Sequence, residues 1–170
     1  MGLYTSIKAL RYSLAEPVTR NMVNRTGATL VRGDLVALDL TGSDGDVQAY
    51  TAFTPGTHED SAHPFSNVIA CATAQIASGW VFAVTIDSSI INDASGEFGL
   101  FGVFDVEMVG SSAVSLGENV TPTNAQTYVS GGVDAQVNVG IALEAGPTGT
   151  AAATGKVLFD GWALNTTGVA

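Results

Sequence analysis

The two histidines of the chain, His58 and His63, are the residues best suited to metal binding or to acid–base chemistry. They stand five positions apart in the segment His58-Glu59-Asp60-Ser61-Ala62-His63, and Pro64 follows. This spacing does not place two ligands on one helix face. A serine beside either histidine could act as a nucleophile, but serines are common here and their presence is no evidence for such a pair. The segment is predicted to be a solvated loop.

Two glycine-containing motifs resemble ligand loops and fail on their spacing. Asp44-Gly45-Asp46 resembles part of a calcium loop but lacks the further acidic ligands and the terminal Glu, so a β-turn is predicted. Residues 149–156 resemble a phosphate loop, but five residues separate the glycines instead of four, and Val157 follows Lys156 where Ser or Thr would hold magnesium. The sequence therefore predicts a protein that is not an enzyme, with no catalytic residue, no metal site and no cofactor.

Charge is distributed unevenly along the chain, whose net charge is −10. Residues 1–32 carry five of the six cations and one acid, whereas residues 33–170 carry one cation and fifteen acids. The acidic part repels phosphate, so nucleic acid is not an expected partner. The basic start is predicted to bind a partner or a neighbouring subunit; alternatively, its cations pair with acids of the same chain. The candidate partner-binding residues are Lys8, Arg11, Arg20, Arg25 and Arg32.

The composition predicts an all-β protein. Hydrophobic residues make up 46% of the chain and charged residues 13%, and there are only two lysines, so good surface-helix formers are scarce. Short apolar segments alternate with turn signals every 8–12 residues, which predicts a β-barrel or sandwich with at most one or two short helices. Residues 1–19 are predicted to form a docking arm and residues 20–170 the body.

Several local features refine this prediction. Gly99 and Gly102 interrupt a long strand predicted over residues 98–109 and are expected to mark bulges or close backbone approaches. Cys71 is the single cysteine, which excludes an intrachain disulfide and predicts a small buried apolar side chain. Trp80 and Trp162 lie in apolar strands and are expected in the core. No apolar run reaches the roughly 18 residues of a membrane helix, so no membrane partner is expected.

Several sequence blocks resemble, in their order and spacing, the capsid decoration (cement) proteins of tailed phages. They begin with residues 24–36 (NRTGATLVRGDLV) and 102–106 (GVFDV), followed by Gly117-Glu118. Residues 139–145 (VGIALEA) and 155–159 (GKVLF) complete the series, and the loop at residues 54–66 is longer than in this family. The resemblance covers roughly residues 20–164.

The resemblance implies a β-tulip or related β-barrel body that forms a homotrimer. It also implies an N-terminal arm that clamps the major capsid protein. A protein of this family would be made in the host cytoplasm and would stabilise the capsid from the outer surface of the virion. The alternative is another virion or surface β module, such as a head fibre base, a tail component or a glycan-binding domain.

Overall fold

The computed structural model describes residues 17–39, 67–71, 81–110, 114–132, 137–149 and 151–161. Every regular element within these ranges is a β-strand, which confirms the all-β prediction. No helix in them has the length and apolar character to cross a membrane. The strands are β1 (Val18–Asn24), β2 (Leu30–Val31), β3 (Leu35–Leu38), β4 (Asn67–Ile69), β5 (Phe82–Thr85), β6 (Ser89–Ile90), β7 (Ser95–Met108), β8 (Asn119–Pro122), β9 (Val129–Gly131), β10 (Gly140–Ala142) and β11 (Ala153–Asp160).

The 14-residue strand β7 organises the nine-stranded sheet. Its first half pairs with β1 and β5, and the chain of pairings β1-β4-β3-β5-β7 closes on itself; we call this the first ring. Its second half pairs with β11 and β9, and the pairings β7-β11-β10-β8-β9 close a second ring. The two rings share β7. Because each ring closes on itself, its strands have partners on both sides instead of an open sheet edge.

Gly99 and Gly102 lie where β7 passes from one ring to the other. Opposite β1, Val18 pairs with Phe101 and Thr19 with Gly99, so Leu100 is an extra residue that forms a bulge. A Cβ on Gly99 would lie 2.5 Å from the Phe104 ring, which leaves no room for a side chain. The predicted bulge and close approach are therefore confirmed at Gly99, and they let one strand serve both rings.

The protein core consists of two apolar clusters separated by β3 and β5. All four residues of β3 are buried, as are all four of β5. Leu35 and Ala37 belong to the cluster that fills the second ring, whereas Val36 and Leu38 belong to the cluster that fills the first. Because successive side chains of a strand point to opposite faces, β3 contributes to both clusters. This two-sided burial explains why β3 is a continuous apolar run.

The buried side chain of Asn24 organises the turn after β1. Its Nδ2 donates hydrogen bonds to Ala28 O at 2.7 Å and to Ile90 O at 2.9 Å. Its Oδ1 accepts hydrogen bonds from Thr26 N at 3.0 Å and from Thr26 Oγ1 at 2.7 Å. Since Ile90 lies in β6, this amide joins the first ring to the separate two-stranded sheet of β2 and β6.

Other sequence predictions fare differently. Cys71 is free and buried, as predicted, and its Sγ lies 3.8 Å from Leu35 O. Residues 149–156, which resemble a phosphate loop in sequence, include the start of β11, where Ala153 pairs with Met108. Six predicted features lie outside the described residues: most of the arm, the loop at 54–66, the histidine segment, Asp44-Gly45-Asp46, Trp80 and Trp162.

Candidate functional site

Three of the five cations proposed for partner binding lie in the described residues, and each has different surroundings. Lys8 and Arg11 lie outside these residues, so their role stays a prediction. Arg20 is in β1, opposite Phe98 of β7. Because β1 begins at Val18, the predicted boundary between the arm and the body falls inside a strand.

Arg25 forms an ion pair within the chain. Its Nη1 lies 2.5 Å from Asp93 Oδ1, and both side chains are exposed. Asp93 belongs to the turn before β7 and adopts a φ of 65°, and its backbone N–H donates to Asn24 O. An exposed pair of this kind contributes little to stability. For Arg25, the structure therefore shows the intrachain pairing that the sequence analysis left open.

Arg32 is positioned by Gly33, which lies between the first and second rings. Gly33 N donates to Thr85 O at 2.9 Å, and Gly33 O accepts from Glu107 N at 2.8 Å. Gly33 has a φ of +93°, and a Cβ there would lie 2.8 Å from Thr154 Cγ2. Glycine is therefore required for both the left-handed backbone and the space. The Nε of Arg32 donates to Ile86 O at 2.9 Å, which fixes the stem of the guanidinium on the surface.

Asp34 and Glu107 bring two carboxylates near the same point. Asp34 is buried, and its Oδ2 accepts a hydrogen bond from Val31 N at 2.7 Å. Burial raises the pKa of the Asp34 carboxyl, and the charge of Glu107 adds to the shift. Glu107 Oε2 accepts a hydrogen bond from Thr127 Oγ1 at 3.0 Å. In the segments that the structure describes, no group of three or more His, Cys, Asp or Glu is placed to hold a metal ion.

The outward side of the second ring carries an apolar surface. In β7 and β11 burial alternates, so the residues between the buried ones face outward. Ile141 of β10 lies opposite Leu158 of β11, which in turn lies opposite Val103 of β7. Ile141 is 41% exposed and Leu143 is 37% exposed. We call this set of side chains the outer face; it consists of Val103, Asp105, Leu143, Lys156, Leu158 and Ile141.

The outer face continues into a charged pair and a further apolar residue. Lys156 Nζ lies 2.8 Å from Asp105 Oδ1, and this hydrogen bond raises the pKa of the lysine. Leu116 is 69% exposed, and the next residue, Gly117, donates its N–H to Ala142 O, so Leu116 lies beside β10. Sequence reasoning missed this surface. The signal was the apolar run at residues 139–143, because alternate residues of a strand cannot all reach one core.

The comparisons with known proteins concern the fold. No protein-family model matches the chain, and no curated protein matches its sequence. Among solved structures, the chain is similar to the crystal structure of the head fibre gp8.5 N base of bacteriophage phi29. The TM-score is 0.50 at 12% sequence identity, and the match covers 88% of this chain and 98% of that one. The two proteins thus share a fold over nearly their whole length.

Proposed function

We propose that this chain is a structural protein of a phage virion. It sits on the outer surface of the icosahedral head and stabilises the capsid by bridging neighbouring major capsid protein subunits. The observation that carries this proposal is the similarity in fold to the phi29 head fibre N base, which spans 98% of that chain. The resemblance of the sequence to phage decoration proteins favours the same location, on separate grounds.

The surface of the second ring fits a docking role. Both rings close on themselves, and the strands of the separate β2–β6 sheet are only two residues long, so strand addition at a long open edge is not the expected mode of contact. We expect association to use side chains, and the outer face and Leu116 offer apolar ones beside the Lys156–Asp105 pair. Apolar side chains with a few charged neighbours are typical of protein–protein contacts. The proposed partners are the major capsid protein and further copies of this chain in a homotrimer.

Repetition on a shell makes individually weak contacts effective. Each copy that bridges two capsid subunits adds contacts that must break before the shell opens, and many copies act together. The expected result is that phage heads made without this chain bind the purified protein in a sedimentation assay and then melt at a higher temperature. Protein that fails to associate with heads at any stage of maturation would overturn the proposal.

A pair of surface variants tests which face docks. Ile141→Glu places a charge on the outer face and should weaken binding to heads by about tenfold, because a charge cannot be desolvated cheaply in an apolar contact. Ile91→Glu is the matched control, since Ile91 is 63% exposed and lies in the turn between β6 and β7, away from β10. Equal binding by both variants would exclude the outer face as the docking surface.

The arm is tested by deletion of residues 1–16. The deletion stops before Val18 because this residue pairs with Phe101 in the first ring. The body should fold as before, which the thermal unfolding temperature measures, while binding to heads weakens. Unchanged binding would refute a docking role for the arm.

The second candidate is a head fibre base, which the similarity to the phi29 N base specifically favours. The two functions differ in the density expected on the outer surface of the capsid. Electron cryomicroscopy of the virion should show a decoration protein bridging adjacent capsid subunits, whereas a fibre base would carry a projection that extends away from the shell. A map with such a projection and no bridging contacts would favour the second candidate.

A further inference from the structure

A cleft of about 210 Å³ opens on the surface where the two rings meet. Its lining joins the turn after β2, the end of β5, the middle of β7 and the start of β11. The polar residues in this lining are Arg32, Thr85, Asp105 and Lys156. The fold brings them together from positions far apart in the sequence.

The hydroxyl of Thr85 is an unusual feature of this lining. Thr85 is 1% exposed, and its Oγ1 has no hydrogen-bond partner within the described ranges. Its backbone is fully used, since Thr85 N donates to Asp34 O and Thr85 O accepts from Gly33 N. Buried polar groups in native proteins almost always have a hydrogen-bond partner, so the Thr85 hydroxyl has hydrogen-bonding capacity left for a group that enters the cleft.

The lining of the cleft carries two cations and one acid in an otherwise acidic protein. Within the lining the one acid is Asp105, which pairs with Lys156 at 2.8 Å, and Glu144 lies near Lys156 outside the lining. Arg32 is therefore the cation of the lining whose charge is best placed for a ligand. Arg32 uses its Nε for Ile86 O, and no hydrogen bond to its two terminal nitrogens is seen from the described part of the chain. The planar fork of a guanidinium matches the two oxygens of a carboxylate.

We propose that this cleft binds a carboxylate, namely a glutamate side chain of a partner protein. The Arg32 guanidinium and the Thr85 hydroxyl donate hydrogen bonds to the carboxylate, and Lys156 supplies further positive charge. The net charge of the lining, two cations against one acid, suits a single negative charge. The acidic remainder of the chain repels the many negative charges of a nucleic acid backbone, so a nucleic acid is not the expected ligand.

The apolar part of the lining suits the rest of such a side chain. Ile86, Val103 and Phe104 complete the cleft, and they offer contact for the methylene groups of a glutamate. Val103 also belongs to the outer face, so a bound segment would continue from the cleft onto that surface. This inference rests on the cleft alone and holds for any protein partner, whether or not the chain acts on a phage head.

Nuclear magnetic resonance titration of the isotope-labelled full chain tests the proposal. The probe is the capped peptide acetyl-Ala-Glu-Ala-amide, and its glutamine counterpart is the control. The glutamate peptide should shift the amide of Thr85 and the Nε resonance of Arg32 in a saturable way, with about tenfold weaker binding of the glutamine peptide. Equal binding of the two peptides, absence of saturable shifts, or tighter binding of inorganic phosphate than of acetate would overturn it.

Two threonine variants separate binding from folding. Thr85→Val removes the hydroxyl but keeps the shape, so binding of the glutamate peptide should fall while thermal stability is kept or rises. Thr123→Val is the matched control, because Thr123 Oγ1 is also buried without a partner in the described residues but does not line the cleft. Thr123→Val should keep or raise the melting temperature, as expected for Thr85→Val. It should bind the glutamate peptide as tightly as wild type does. Wild-type binding by Thr85→Val, or a marked loss of its stability relative to Thr123→Val, would overturn the role of the hydroxyl.

Two variants of Arg32 test whether its planar guanidinium binds the carboxylate. Arg32→Gln should abolish measurable peptide binding, whereas Arg32→Lys keeps the charge and loses the paired donors, so it should retain weak binding. Wild-type affinity in Arg32→Gln would contradict the proposed site.

Discussion

Replacement of Asn24 by alanine should destabilise the protein by about 4 kcal/mol. The side chain is fully buried and takes part in four hydrogen bonds, two as donor and two as acceptor. A hydrogen bond of this kind contributes about 1 kcal/mol net. Three of the four partner groups are backbone atoms, namely Ala28 O, Ile90 O and Thr26 N, and alanine would leave them without this partner. In a chain of this size, 1 kcal/mol shifts the melting temperature by about 2–4 °C, so a decrease of about 8–16 °C is expected.

Urea titration followed by circular dichroism measures the effect. The midpoint should fall while the slope of the transition stays constant, which shows that stability changed and not the extent of unfolding. Asn21→Ala is the control, because Asn21 is an exposed residue of the same strand. Its expected effect is within about 0.5 kcal/mol. A loss below about 1 kcal/mol in Asn24→Ala, or equal losses in both variants, would refute the argument that this buried amide holds the turn after β1.

Three further predictions concern individual residues. Gly33→Ala should cost about 2–4 kcal/mol and Gly27→Ala about 1 kcal/mol in urea titrations. Their φ angles are similar, at +93° and +82°, but only a Cβ on Gly33 would meet other atoms within 4 Å; equal losses would contradict this. Because burial raises the pKa of Asp34 above its ordinary 3.8, the Asp34 carboxyl keeps its proton to higher pH in the folded state than in the unfolded state. The stability of wild type relative to Asp34→Asn should therefore fall as pH rises from 3.8 and level off above the raised pKa, and a difference independent of pH would count against it. Burial raises the pKa of Cys71 to about 12, so a thiol reagent at mildly alkaline pH should label it only after unfolding, and rapid labelling of the native protein would be the contrary result.

The candidate site was only partly predictable. Arg32 was chosen because it belongs to a basic segment, which is a property of the sequence. Thr85 and Lys156 carried no such signal, since one is a threonine in a strand and the other an isolated lysine. The place of Arg32 beside Thr85 depends on Gly33, whose backbone bonds to Thr85 and Glu107, and Lys156 reaches the cleft because β11 pairs with β7.

The sequence by itself determined the all-β class, because scarce helix formers and short alternating segments favour strands. It also indicated an irregularity or close approach at Gly99 and the burial of Cys71, since these depend on local residue type. Only the tertiary structure decided which strands meet. Lys156 reaches Asp105 across 51 positions, and β3 lies between two clusters because other strands cover both of its faces. Local alternation shows which side chains share a face of a strand, whereas strand pairing depends on contacts between distant segments, and those contacts create the cleft and the outer face.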